Sequence, residues 1–393
     1  MIFRVFRSRL NRVFLLGCVL LAAIITNAKA GYTFTFVADS TGPFRDFSPV
    51  SLNRSGTVAF VARFDGSGAG VFTGNGGALT TIATAATPPF GNPFNPPSIN
   101  QAGTVAFLGD LGGAIGDGIF AGNGGPLVTI ADTAGQFRNF VSGYSVSINA
   151  TGTVAFTASL DIGGGGYFAS TGGVVTPIFL NTPTLHPDFN VALNDAGTIA
   201  FRAYFGQSST PNGIVTASGG SVTTIVDSTG PLNYFGTAPS LNNAGTVAFA
   251  AGIGGQDGGV FGIYKGSGGA LTTIADISGP FSYLGDFFVN QPSINGAGNV
   301  AFVANLDAGG GGLYIGDGTA TSEVIGVGAA LFGSTITGFL ISPTSLNDSG
   351  QVAFVYGLAN GTTGIAIANP VPEPSASLLL TALFGVGLLR RFR

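Results

Sequence analysis

Between Gly31 and Pro370 the chain holds one histidine, His186, in the stretch Thr184-Leu185-His186-Pro187-Asp188. An imidazole can serve as a general base if a nucleophile or substrate proton lies within hydrogen-bond reach. No nucleophile motif accompanies it, so the sequence places it on a loop between repeats as an ordinary surface residue and assigns no catalytic residue. Zinc is excluded by the donor set, because one histidine is left once Cys18 is assigned to a leader. Asp39, Asp132, Asp227 and Asp276 share an Ala/Val-Asp-x-x-Gly setting, with Thr84 in the matching place of another copy. A rim of carboxylates raises the question of calcium, which wants six to eight oxygens, whereas each copy supplies one such Asp. An Asx turn onto nearby backbone N–H groups accounts for the pattern, and no metal or cofactor is expected. Asp65, Asp161 and Asp307 lie beside glycines in hairpins, where turn formation is again the reading. The run Gly66-Ser67-Gly68-Ala69-Gly70 lacks the lysine and the βαβ setting of a phosphate loop. Glu323 is the one glutamate before the tail, so a glycosidase pair would be built largely from aspartates.

The elements that must carry these residues are repeated. The marker N-x-x-G-x-[VI]-A-F begins at Asn53, Asn100, Asn149, Asn194, Asn242, Asn295 and Asn347, at spacings of 47, 49, 45, 48, 53 and 52 residues. That period suits a four-stranded propeller blade. Asn at the first position, with Gly56, Gly103, Gly152, Gly197, Gly245, Gly298 and Gly350 at the fourth, fits a type I turn whose glycine takes positive φ and closes a hairpin through a bulge. After each turn the alternation of a strand sends Val58 and Phe60 to one face and Ala59 to the other, which predicts buried rings at Phe60, Phe107, Phe156, Phe201, Phe249, Phe302 and Phe354.

Four strands, a to d, follow in each unit; in the second they span 97–100, 104–108, 118–121 and 127–131. After the seventh marker the chain supplies only b (351–356) and c (364–368), while an unpaired d-like strand, Tyr32 to Asp39, opens the array. These ends predict an all-β, seven-bladed β-propeller of four-stranded antiparallel blades, closed by the N-terminal strand. An open solenoid would ask for capping repeats instead.

The two termini read as addresses. Arg4, Arg7, Arg9 and Arg12 precede an apolar run from Val13 to Ile25, and Ala28 and Ala30 hold the −3 and −1 places of a cleavage site. Residues 1–30 are therefore a signal peptide for signal peptidase, with a lipoprotein box at Cys18 as the alternative. At the other end come Val371-Pro372-Glu373-Pro374, an apolar segment to Leu389, and Arg390, Arg391 and Arg393. Fifteen residues as a helix span about 22 Å, short of a ~30 Å hydrocarbon core, which suits a temporary anchor; an uncut anchor is the alternative.

The tail, 370–393, resembles the PEP-CTERM sorting signal. That resemblance implies a Gram-negative host, passage through the inner membrane with the arginines inward, and cutting near Pro372-Glu373-Pro374 by an exosortase. The repeats, 31–369, resemble the tandem N-x-x-G-x-x-A-F family of exported bacterial proteins, and are similar to the blade of TolB-type propellers, whose Ser-Pro-Asp-Gly turn is here Asn-x-x-Gly. Neither resemblance implies an activity.

Composition agrees with an all-β chain: 66 glycines, 34 phenylalanines and 8% charged residues. Residues 31–370 carry six Lys and Arg against seventeen Asp and Glu, a difference of −11. Nucleic acid, which asks for a basic stripe, is excluded as a partner. The expectation from sequence is a non-enzymatic propeller of the cell surface or biofilm matrix that binds exopolysaccharide or a surface protein. The alternative is a hydrolase of glycans or esters on the same scaffold.

Overall fold

The computed structural model describes residues 31–85, 95–110, 117–206, 212–253, 260–284 and 290–372. Every regular element among them is a β-strand. They fall into two compact units, Phe34–Asn369 and the flanking Met1–Thr33 with Pro370–Arg393. Of the flanking unit 31–33 and 370–372 are described, and there the Val371 N–H donates to the Gly31 carbonyl at 2.9 Å. The leader with Ala28 and Ala30, and the tail from Glu373 through Arg390, Arg391 and Arg393, lie outside the described residues. No helix among the described residues is long and apolar enough to cross a membrane.

Phe34–Asn369 is a seven-bladed β-propeller. Each blade is an antiparallel sheet in the order a, b, c, d, as in blade 1, where Val58–Phe64 is b, Ala69–Gly74 is c and Thr80–Ala85 is d. The seventh blade is closed from the far end of the chain: Tyr32–Asp39 pairs with Thr363–Pro370, which pairs with Val352–Leu358. Within that seam the Ser40 N–H donates to the Thr363 carbonyl at 2.8 Å, and the Asn369 amide donates to Thr35 Oγ1 at 3.0 Å.

Strand a is less regular than the single short strand expected from sequence. In most blades it is two pieces, Phe44–Phe47 and Ser51–Leu52 in blade 1 and Leu185–Pro187 and Ala192–Leu193 in blade 4, and both pair with the same b strand. In blade 1 the break holds Pro49, which has no N–H for the ladder. There Ser48 Oγ accepts from the Val61 N–H at 2.9 Å instead.

The core sits between blades. All seven marker phenylalanines are buried, and in blade 3 Phe156 packs against Phe137, Phe140 and Phe168 with ring centroids 5.5 to 5.9 Å apart. A glycine two residues ahead of an aromatic ring on strand c makes room for that ring. A Cβ at Gly70 would lie 2.6 Å from the Phe72 ring, and one at Gly262 would lie 2.7 Å from the Tyr264 hydroxyl.

Candidate active site at the funnel mouth

The two ends of the ring are built differently. At one end stand the marker turns, whose glycines all have φ between 76 and 84° and whose glycine N–H donates to the Asn carbonyl at 3.0 to 3.1 Å. Each marker Asn also accepts through Oδ1 from the N–H four residues on, as Thr57 to Asn53 at 2.9 Å and Gln351 to Asn347 at 3.0 Å. The Nδ2 of Asn53, Asn149, Asn194, Asn242, Asn295 and Asn347 reaches across to the next blade, as Asn149 to the Asn194 carbonyl at 3.2 Å, Asn194 to Asn242 at 3.3 Å and Asn242 to Asn295 at 3.0 Å. The marker thus laces neighbouring blades as well as turning the chain. Sequence reasoning found the turn and missed the lacing, whose signal is the invariance of Asn where Asp or Ser would also turn the chain: they lack the amide donor.

The carboxylates of the crossings do what an Asx turn asks. Asp39 Oδ1 accepts from the Thr41 N–H at 3.0 Å, Asp132 from Ala134 at 3.0 Å, Asp227 from Thr229 at 3.0 Å and Asp276 from Ser278 at 2.9 Å.

The opposite end opens into a cleft of about 500 Å³ on the ring axis, lined among others by Pro49, Pro96, Tyr144, Phe189, Thr237 and Leu340 from six different blades. Blade 4 contributes most of its polar groups. On Leu185–Pro187, His186 stands directly opposite Tyr204 of the b strand Ile199–Phe205. One step further the Asp188 N–H donates to the Arg202 carbonyl at 2.8 Å. Side chains two apart on a strand share a face, and opposed residues do so across the ladder. His186, Asp188, Arg202 and Tyr204 therefore stand on one face of blade 4. The placement corrects the expectation that His186 sits on a loop: it is half-buried in a strand.

Arg202 and Asp188 form a buried ion pair, with Nε to Oδ2 at 2.7 Å and Nη2 closing the fork. Arg202 Nη1 donates to the Phe235 carbonyl of blade 5 at 2.9 Å. The one proton of the Tyr167 phenol is shared between the carbonyls of Asp188 and, at 2.9 Å, Asn190, which pins the backbone on either side of Phe189. Burial raises the Tyr204 phenol above its ordinary value, Asp188 adds to the shift and Arg202 opposes it. At neutral pH this hydroxyl is a proton donor.

The position of Arg202 is occupied in the other blades by Val61, Leu108, Thr157, Ala250, Val303 and Val355. Blade 4 breaks the repeat where the repeat is otherwise mostly apolar. That break was the available signal for the site, and a search for short motifs passes over it.

A profile for a family of unknown function, DUF7453, matches residues 35–178 and 322–378, on both sides of the seam that closes the ring. The chain belongs to the DUF7453 family. No curated protein matches this DUF7453 chain in sequence. Among solved structures, an oligogalacturonate lyase from Vibrio parahaemolyticus is similar at a TM-score of 0.53 and 14% identity, over 88% of this chain and 99% of that one. An oligogalacturonate lyase in complex with manganese is similar at 0.53 and 11%, over 88% and 99%. At these identities what is shared is the fold.

This finding corrects the expectation that the ring is a non-enzymatic surface or matrix binder and no enzyme. Both of these neighbours are oligogalacturonate lyases, and here the Tyr204 phenol and the Arg202 guanidinium line the cleft, with His186 opposite Tyr204 on the ladder but outside that lining. Manganese does not fit this cleft: among the described residues no three His, Cys, Asp or Glu side chains converge, and Asp188 is already engaged by Arg202.

Proposed function

We propose that the protein is a glycan-cleaving enzyme that acts at the funnel mouth by elimination on a uronate-containing polysaccharide. The observation that carries this reading is the placement of Asp188, Arg202 and Tyr204 in the lining of a 500 Å³ cleft, with His186 directly opposite Tyr204 on the same face of blade 4. Elimination removes the proton on the carbon next to the uronate carboxylate, and that carbon acidifies when the carboxylate charge is neutralised. A guanidinium has five N–H donors, and the contacts to Asp188 and Phe235 engage three of those of Arg202. The remaining two suit a substrate carboxylate. His186 takes the proton, the bond from the ring to the glycosidic oxygen breaks as the carbon–carbon double bond forms, and the Tyr204 phenol protonates the departing oxygen.

Hydrolysis by paired carboxylates is less well supported, since Asp188 is the one carboxylate among the described residues lining the cleft and it is committed to Arg202. Mass spectrometry of the products separates the two chemistries. Elimination adds no water across the cut, so fragments whose summed mass exceeds the substrate by one water would refute it.

The same proposal takes the enzyme outside the cytoplasm, through a leader cut after Ala30 and a tail cut by an exosortase at Pro372-Glu373-Pro374, to the cell surface or matrix where such glycans lie. Pro372 is exposed, as a cutting site must be. Deleting Pro372 to Pro374 should leave full-length protein in the inner membrane while the natural chain is released shortened; identical size and fractionation of the two would refute processing.

A further inference from the structure

The aromatic rings that line the cleft are those of Tyr144, Phe189 and Tyr204. Phe189 is 54% exposed although Asp188 and Asn190 on either side are buried. Its exposure is not that of a loose loop. Thr157 Oγ1 donates to the Phe189 carbonyl at 2.9 Å, and the Tyr167 phenol holds the two flanking carbonyls. A large apolar ring kept in water on a fixed backbone gains free energy from any ligand that covers it. A pyranose has an apolar C–H face, and a uronate carries its carboxylate at the ring edge.

We propose that Phe189 is the platform on which a uronate ring stacks, a positioning residue that turns the carboxylate of that ring toward Arg202. This rests on the cleavage reading above, and its test is chosen to fail separately. The chain contains no tryptophan, so Phe189→Trp installs a single fluorescent reporter at the platform. Tetramers of galacturonate and of mannuronate are the probes, titrated into the mature chain. A saturable emission shift with at least one tetramer is expected. Phe189→Ala should raise KM about tenfold with kcat held within about twofold, and Phe189→Tyr should restore KM.

Cleavage of a tetramer whose saturating addition leaves the Trp emission unmoved, or an unchanged KM in Phe189→Ala, would overturn the platform and leave the cleavage reading standing. A saturable shift without cleavage would support the platform and overturn the cleavage reading. Neither shift nor cleavage with both tetramers would overturn both.

Discussion

Asn347 Nδ2 donates to the carbonyl of Asn53 at 3.0 Å across 294 residues of sequence. The same bond joins Asn295 to Asn347 at 3.3 Å and Asn53 to Asn100 at 3.2 Å, so the seam between the last blade and the first is laced like the internal ones. Replacing Asn347 with Ala removes a buried donor and the acceptor used by Ser349 and Gln351. It should cost about 2–3 kcal/mol in urea unfolding, as should Asn194→Ala, with the m-value unchanged. A cost near zero at Asn347 alone would mean that the closing seam does not bear load.

Closure by the first strand has its own test at Thr35 and Asn369, whose side chains meet at 3.0 Å. The one natural cysteine, Cys18, lies in the proposed leader, so the double variant Thr35→Cys with Asn369→Cys has no competing thiol in the mature chain. A disulfide should form in folded protein and raise Tm, given that bridging needs Cα atoms within about 7 Å. Failure to cross-link under oxidising conditions would contradict the seam.

Among the described residues the hydroxyls of Tyr144 and Tyr356 are buried without a hydrogen-bond partner. Removing such a hydroxyl should stabilise, so Tyr144→Phe is expected to gain about 1 kcal/mol at neutral pH, read from thermal or urea unfolding. Burial also raises the ionisation of Tyr144, Tyr167 and Tyr356 above the ordinary value of 10.0. A group whose folded pKa is raised contributes stability that is present below the unfolded value and lost as pH climbs toward the folded one. Above pH 10 stability should therefore fall by up to about 1.4 kcal/mol per pH unit for each such tyrosine. Each Tyr→Phe variant should flatten the slope, and an unchanged slope in all three would contradict their burial.

Much of this architecture was legible because it is repeated. Seven copies of one marker state the blade count, and the d-like strand from Tyr32 to Asp39 states how the ring closes; both follow from backbone pairing, which leaves its period in the sequence. The site was not legible for the opposite reason. Arg202 and His186 occur once each at their positions, Asp188 is 14 residues from the arginine it pairs with, and the ladder that brings them together leaves no local motif. The division of strand a into two pieces was hidden too, since it depends on what fills the ladder at Pro49 and its counterparts.

The Arg202–Asp188 pair allows structure and chemistry to be separated. Arg202→Ala strands a buried carboxylate and should cost about 3–5 kcal/mol, whereas Arg202→Met combined with Asp188→Leu replaces the pair by apolar side chains and should be near neutral. The double variant should fold and be inactive. Full activity in a folded double variant would exclude the guanidinium from the reaction.

The central claim, elimination at the funnel mouth, is tested most directly by ultraviolet absorbance during incubation of the mature chain with polyuronates, because the product double bond is conjugated to the carboxylate and the substrate has none. The account predicts a steady rise with at least one polyuronate. It predicts that the rise falls by about 10²–10⁴-fold in His186→Ala and in Tyr204→Phe while both variants keep the natural Tm. Polyuronate cleaved at a natural rate by His186→Ala and Tyr204→Phe, or no rise with any polyuronate from folded natural protein, would contradict it.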